Sequence, residues 1–262
     1  MSETIPADNG GFIKNRVITK NVSAGTFYDP NSEIDNIFTG VPSQYFETPF
    51  NLNIDQPLCI DMTFPDPVSL NGFGIVNHNI PTNATVKLKY WSAAGFSEPA
   101  DDFDTITITP KNTYCFITQT YQYIRLEIDA PGYTIKIGEL FPAQTKLQFP
   151  HNFSWGYDDE YCVAKEVTTS DAGQHFEEPD VEVGDDPAAA YEKLSMSFGP
   201  VDREHFDIFK ELVIPGHKIF IPDFTQATCY MGIVPDKAFK AKRNLKGDSY
   251  SLRFWEHAIP VE

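Results

Sequence analysis

Basic residues are scarce in this chain. Its 262 residues include 20 Lys and Arg against 37 Asp and Glu, which gives a formal net charge of −17. A surface that binds a nucleic-acid backbone has to present basic groups to the phosphates. The charge balance therefore argues against nucleic acid as a partner. Both halves of the chain, divided at residue 143, carry an excess of acids, so the charge is spread over two folded surfaces and favours solubility.

Long apolar runs and clustered cysteines are also missing. No stretch reaches the roughly 18 consecutive apolar residues of a membrane-spanning helix. The first six residues have neither the basic nor the apolar region of a secretory signal, so we expect synthesis in the cytoplasm and no membrane insertion. The four cysteines form no C-x-x-C pair, which argues against a zinc knuckle or a redox centre. We expect four buried thiols, at positions Cys59, Cys115, Cys162 and Cys229.

Catalytic motifs are absent too. The sequence has no G-x-S-x-G, no phosphate-binding loop, no H-E-x-x-H and no G-x-G-x-x-G, and its six His are dispersed. We therefore expect no catalytic residue, no cofactor and no metal ligand. Two acidic clusters, Asp101–Asp104 and Asp158–Glu160, could hold Ca²⁺ or act as paired carboxylates, although such clusters in turns are more often solvated. A glycan-cleaving enzyme stays an alternative for this reason.

What the sequence does contain is alternation. Apolar and polar residues alternate over 58–64, 85–91 and 123–128, which is typical of half-buried antiparallel strands. Prolines and glycines separate further short runs at the spacing of a β-sandwich. Hydrophobic residues make up 41% of the chain and aromatic residues 14%, enough for a packed core. These patterns predict seven or eight strands between residues 57 and 141.

The second half has a different pattern. Strand-like runs continue at 145–155, 160–169, 192–198, 217–222, 228–234 and 248–257. One convincing helix is predicted over 202–213, where Asp202 is a plausible N-cap and Pro215 follows the end. Its apolar stripe consists of Phe206, Phe209, Leu212 and Val213. We predict a mainly β chain with three parts: an arm with the first strand or strands (1–36), a β-sandwich (37–143) and an α+β domain with one amphipathic helix (144–262).

Two stretches of the second half have charge of one sign. Residues 171–186 contain seven acids and no base, and residues 237–246 contain five bases and no acid. They are either two solvated loops or complementary surfaces of neighbouring copies, which would close into a ring by head-to-tail contacts. The candidate interface residues are Lys237, Lys240, Lys242, Arg243 and Lys246 on the basic side and Glu177, Glu178, Asp180 and Glu182 on the acidic side.

One polar cluster ends an apolar strand. Asn77, His78 and Asn79 follow the run at 70–76 and precede the turn at Pro81. Such side chains either cap the backbone of the turn or reach a ligand at the end of a sandwich. The candidate glycan-binding residues, which add two aromatic rings for stacking, are Asn77, His78, Asn79, Tyr90 and Trp91.

The runs I-V-N-H-N (75–79), Y-I-R-L-E-I (123–128) and I-G-E-L (137–140) carry a family resemblance. With them, residues 37–141 resemble a galactose-binding-like (discoidin-type) jelly roll, in the version found in tail proteins of bacteriophages and prophages. Residues 146–257 are similar to the companion segment of those proteins.

The resemblance implies a distal-tail or baseplate structural protein of a long-tailed phage. Such a protein is not an enzyme, lies in the virion, assembles into a ring through a tail-tube-like domain, and contacts itself and other tail proteins. The main alternative is a carbohydrate-binding protein that contacts glycans of the host surface.

Overall fold

The described residues are almost entirely β-strand. The computed structural model describes residues 11–16, 21–24, 34–39, 45–48, 57–148, 158–164, 167–169, 175–177, 189–201, 218–221, 229–233, 240–242, 248–256 and 259–260. Among them, one 3-10 helix (Ile34–Phe38) is the helical element, and no helix is long and apolar enough to cross a membrane. The predicted mainly β character is confirmed.

The chain divides into two compact units. The first comprises residues 1–149 and 216–230, and the second comprises residues 150–215 and 231–262. The strands of the first unit are β1 (Gly11–Arg16), β2 (Asn21–Ala24), β3 (Phe46–Glu47), β4 (Leu58–Leu70), β5 (Gly72–His78), β6 (Thr85–Trp91), β7 (Asp102–Ile106), β8 (Lys111–Cys115), β9 (Gln119–Asp129), β10 (Lys136–Gln148) and, after the second unit's first strands, β15 (Lys218–Ile221).

Two antiparallel sheets build the first unit. One has the order β2-β4-β9-β6-β7, and the other runs β15-β1-β10-β5-β8 with β3 beside the start of β10. Between the sheets lies a hydrophobic core, and the period-two pattern explains it, since alternate residues of each strand face inward. The core side chains include Leu58, Ile60, Met62, Val86, Leu88, Ile124, Leu126 and Ile128 from one sheet and Phe73, Ile75, Ile137 and Leu140 from the other.

Two described residues from late in the sequence, Ile219 and Cys229, contact β5 and β8 of the first unit. Ile219 is fully buried there, and Asn112 donates from Nδ2 to the carbonyl oxygen of Cys229 at 3.0 Å. Gly74 is required at the contact, because a Cβ on this residue would overlap with Cδ1 of Ile219 and touch Phe141. The first unit therefore needs a segment that lies far along the sequence from its other strands.

The second unit is described as strands only. They are β11 (Asp158–Ala164), β12 (Val167–Thr169), β13 (His175–Glu177), β14 (Ala189–Val201), β16 (Tyr230–Ile233), β17 (Lys240–Lys242), β18 (Asp248–Glu256) and β19 (Ile259–Pro260). β14 pairs with β11, β18 and β19, β18 also pairs with β16 and β17, and β12 pairs with β13, all antiparallel.

Several predictions for the second half stay predictions. The helix at 202–213 lies outside the described residues. β10 runs continuously through residue 143, where the predicted boundary falls. The limits at 36/37 and 143/144 and the α+β tail-tube-like character of residues 144–262 are not tested.

The cysteines differ in part from expectation. Cys229 is a buried free thiol, whereas Cys59 and Cys115 are free and only half-buried. Cys59 lies on the outer face of β4, because its strand neighbours Leu58 and Ile60 occupy the inward positions. The side chain of Cys162 lies outside the described residues.

Candidate functional site

Three strands bring polar and aromatic groups together at one end of the sandwich. β5 ends at His78, β10 begins at Lys136, and β3 places Glu47 opposite Lys136. Two uncharged connections meet these strand ends: residues 79–84 follow β5, and residues 130–135 precede β10. We call this region the Asn79 surface and define it by Tyr45, Glu47, Asn79, Tyr133 and Lys136.

Asn79 is an exposed residue held by the backbone of β10. Its Nδ2 donates to Thr134 O at 2.9 Å, and its Oδ1 accepts from Lys136 N at 2.7 Å. A side-chain amide has two N–H donors and two acceptor lone pairs, so one of each remains open. Asn79 is thus a fixed group that presents a donor and an acceptor side by side at the surface.

Two tyrosines expose much of their surface near Asn79. Tyr133 is 48% exposed and Tyr45 is 41% exposed. Tyr133 directly precedes Thr134, whose carbonyl oxygen accepts the hydrogen bond from Asn79. Tyr45 is fixed to the same strand end by Lys136, whose Nζ lies 5.1 Å from its ring centroid. The Asn79 surface therefore combines two accessible aromatic rings with an oriented amide.

Lys136 and Glu47 complete the surface. The Lys136 Nζ lies 3.9 Å from Glu47 Oε2, and the two side chains are 36% and 37% exposed. An ion pair at this distance and exposure is weak. The Lys136 ammonium therefore keeps hydrogen-bonding capacity toward a ligand.

His78 supports this end of the sandwich from inside. It is 7% exposed, its Nδ1 accepts from Ile80 N at 3.2 Å, and its Nε2 lies 2.9 Å from Thr113 Oγ1. Burial lowers the pKa of His78 to about 4, so the ring is neutral near pH 7. The neutral ring fits both contacts, with Nε2–H donating to Thr113, and it leaves no nitrogen for a ligand.

Asn77 shapes the strand end. It has a positive φ of 51°, a conformation that Asn tolerates better than most residues, and its N–H donates to Asn112 Oδ1 at 2.9 Å. The register of β5 against β8 shifts between Val76 and His78. This irregularity turns the chain toward Asn79.

Tyr90 and Trp91 lie at the opposite end of β6 from this surface. β6 starts at Thr85, just after the turn that follows His78, and its seven residues span about 20 Å. Tyr90 is fully buried and donates to Asp104 Oδ2 at 2.7 Å, and Trp91 is 4% exposed and donates to Ser97 O at 2.6 Å. The structure therefore does not bring the five predicted glycan-binding residues together.

The acidic cluster 101–104 is engaged within the protein. Asp101 accepts from the N–H and hydroxyl of Ser92 at 2.6 Å, and Asp104 accepts from the Tyr90 hydroxyl. Among the described residues, no group of three or more His, Cys, Asp or Glu could hold a metal ion. The cluster 158–160 lies on β11, where side chains are outside the described part.

The predicted interface residues are mostly outside the described ranges. Lys240 and Lys242 lie on β17, and Glu177 ends β13. The remaining residues of that prediction, which lie outside the described ranges, are Lys237, Arg243, Lys246, Glu178, Asp180 and Glu182. The prediction of a subunit interface there is not tested.

Sequence reasoning missed both exposed tyrosines. Tyr133 follows Pro131 and Gly132, and the positive φ of Gly132 (85°) marks a tight turn that the dipeptide Pro-Gly signals. Tyr45 precedes a strand of only two residues, and no periodicity reveals it. The position of Tyr133 directly after this turn was the sequence signal that could have identified it.

No family model and no curated protein matches the chain. Matches to solved structures cover about half of it. They include the fucose binding module SpX-3 of Streptococcus pneumoniae (12% identity, TM-score 0.40, 51% of this chain and 99% of that one). CpGH89CBM32-6 of Clostridium perfringens also matches (10% identity, TM-score 0.35, 48% of this chain and 93% of that one).

A third match is the lectin domain of lectinolysin complexed with Lewis B antigen, at 9% identity and a TM-score of 0.39, over 48% of this chain and 93% of that one. TM-scores below 0.5 establish neither a common ligand nor common residues. The matches lend no support to a phage tail, baseplate or virion protein, and that hypothesis stays a prediction.

Proposed function

We propose that the first unit is a carbohydrate-binding module and that the Asn79 surface is its binding site. The observation that carries the proposal is the pair of exposed tyrosines beside an amide with an open donor and an open acceptor. A saccharide has an apolar C–H face and adjacent hydroxyls that both donate and accept. Aromatic rings and a few oriented polar groups match those two features.

Binding fits this surface better than glycan cleavage. Hydrolysis of a glycosidic bond generally uses two carboxyl groups about 5–10 Å apart. The Asn79 surface, as defined by its five residues, has one carboxylate, that of Glu47, and this group pairs with Lys136. We therefore propose a non-enzymatic role for this surface.

A glycan array tests the proposal. The full chain, displayed in multivalent form, is applied to neutral and acidic oligosaccharides, and the best ligand is measured by calorimetry. Tyr133→Ala and Tyr45→Ala should each weaken binding by about two- to tenfold, because an aromatic contact contributes about 0.5–1.5 kcal/mol. Phe103→Ala is the matched control, since Phe103 is 56% exposed on β7 of the other sheet.

Two results would contradict the proposal. The first is no binding to any glycan by the multivalent protein. The second is binding that persists unchanged in the double variant Tyr45→Ala/Tyr133→Ala while its thermal unfolding matches that of the wild type. Loss of binding in Phe103→Ala alone would place the site on β7 instead.

A further inference from the structure

We infer that the saccharide bound at the Asn79 surface carries a carboxylate. The inference rests on the proposed function, because it names the ligand class of the same site. Two observations support it: the positions of two lysines, and the scarcity of acids among the described residues around them.

Lys111 and Lys136 flank the end of β5 on its two sides. In the register of the sheet, His78 lies opposite Lys111 of β8 on one side and opposite Ile137 of β10 on the other. Neighbouring strands are about 4.8 Å apart, so the two lysine backbones are separated by about 10 Å. One sugar ring is small enough to lie between two lysine side chains at that separation.

The ammonium group of Lys111 is available to a ligand. Lys111 is exposed, and no ion pair to it occurs among the described residues. Lys136 lies 3.9 Å from Glu47 and 5.1 Å from the centroid of the Tyr45 ring, and neither contact is a strong ion pair. An anionic ring would therefore gain two cations without first displacing a strong ion pair.

Among the described residues, acids are scarce at this end of the unit, although the whole chain contains 37 of them. The connections 79–84 and 130–135 contain no charged residue, and Glu47 is the acid of the surface itself. Asp129 ends β9 near the loop, but it follows the inward residue Ile128 and so belongs to the outer face of the other sheet. Lys111, Lys136 and Glu47 together therefore carry a positive charge, opposite in sign to the net charge of −17.

The test compares carboxylated saccharides with their uncharged methyl esters. Tetragalacturonic acid, a glucuronic acid oligomer and sialyllactose are each titrated into the full chain beside the corresponding ester. We expect at least one acid to bind about tenfold more tightly than its ester. Raising NaCl from 50 to 500 mM should weaken binding of the acid and leave the ester unaffected, because salt screens exposed charges.

Lysine variants test whether Lys111 and Lys136 cause the preference for the acid. Lys111→Gln should reduce the affinity for the acid up to about fivefold, as expected for an exposed ion pair, and leave the affinity for the ester unchanged. Lys136→Gln also removes the contact with the Tyr45 ring, so it should weaken binding of both ligands and weaken that of the acid more. Lys87→Gln is the matched control, since it removes the same charge from the outer face of β6.

The outcomes separate this inference from the proposed function. Equal binding of acids and esters, lost in Tyr133→Ala, would overturn the inference and support the binding site. A preference for acids that Lys111→Gln and Lys136→Gln leave intact would also overturn it. No binding to any acid, ester or neutral glycan would overturn both.

Discussion

Arg125 of β9 forms a two-point ion pair with Asp61 of β4. The Nε–Oδ1 distance is 2.5 Å and the Nη2–Oδ2 distance is 2.9 Å. The same guanidinium lies over the rings of Trp91 and Phe96, at 5.4 and 5.2 Å from their centroids. One planar cation thus joins two strands to the loop 92–101, which folds over the outer face of the first sheet.

Replacing Arg125 with Lys should destabilise the protein by about 1–2 kcal/mol. A lysine keeps the charge but loses the two parallel hydrogen bonds and the flat stacking surface. Hydrogen bonding to Asp61 raises the pKa of Arg125 further, so the cation persists at any pH where the protein folds. Urea unfolding of Arg125→Lys measures the loss, and equal stability to the wild type would show that the geometry contributes nothing.

Replacing Phe96 with Ala should release the loop from the sheet. Phe96 contacts Trp91 and Tyr123 edge-on, at centroid distances of 5.3 and 6.0 Å. The loss should be about 1–3 kcal/mol, since each aromatic pair contributes about 0.5–1.5 kcal/mol. Phe103→Ala, at a more exposed ring, should change the free energy of unfolding by less than about 0.5 kcal/mol. Equal effects of the two substitutions would contradict the packing role of Phe96.

His78 should make stability depend on pH between about 4 and 6.5. Its pKa is lowered to about 4 in the folded protein from an ordinary value of 6.5, so the unfolded chain binds the proton more readily. The stabilisation by the neutral ring is complete above pH 6.5 and is lost as pH falls toward 4, amounting to about 3 kcal/mol.

Subtracting the pH profile of His78→Gln isolates this contribution from that of the acids. Gln keeps a donor for Thr113 but does not titrate. The difference in unfolding free energy between wild type and variant should therefore shrink by about 3 kcal/mol from pH 7 to pH 4. A constant difference would show that His78 is not held neutral by the fold.

Gly74 and Ile219 should be coupled energetically. Gly74→Ala places a methyl group where Cδ1 of Ile219 lies, and overpacking of this kind costs about 1–3 kcal/mol. Ile219→Val removes that methyl, so the double variant should recover part of the loss. Chemical denaturation of the four proteins gives the coupling energy, and strictly additive effects would argue against the contact.

The strands of the first unit could be predicted because half-burial leaves a period-two signature. Leu58, Ile60 and Met62 alternate with polar residues, and they lie in the core as expected. The proposed binding surface is harder to predict, since Tyr45 and Tyr133 are far apart in sequence and the pairing of β3 with β10 brings them to the same end of the unit. Alternation places Trp91 on the outer face of β6, and it does not show that a loop covers and buries this side chain.

The return of residues 216–230 to the first unit has a consequence for biosynthesis. In a chain emerging from the ribosome, the outer face of β5 at Gly74 lacks its contact with Ile219 until residue 219 has been synthesised. At about 5–20 residues per second, synthesis of residues 150–215 takes on the order of several seconds. Ile219 can therefore pack on β5 only after that interval, so this part of the first unit is completed last.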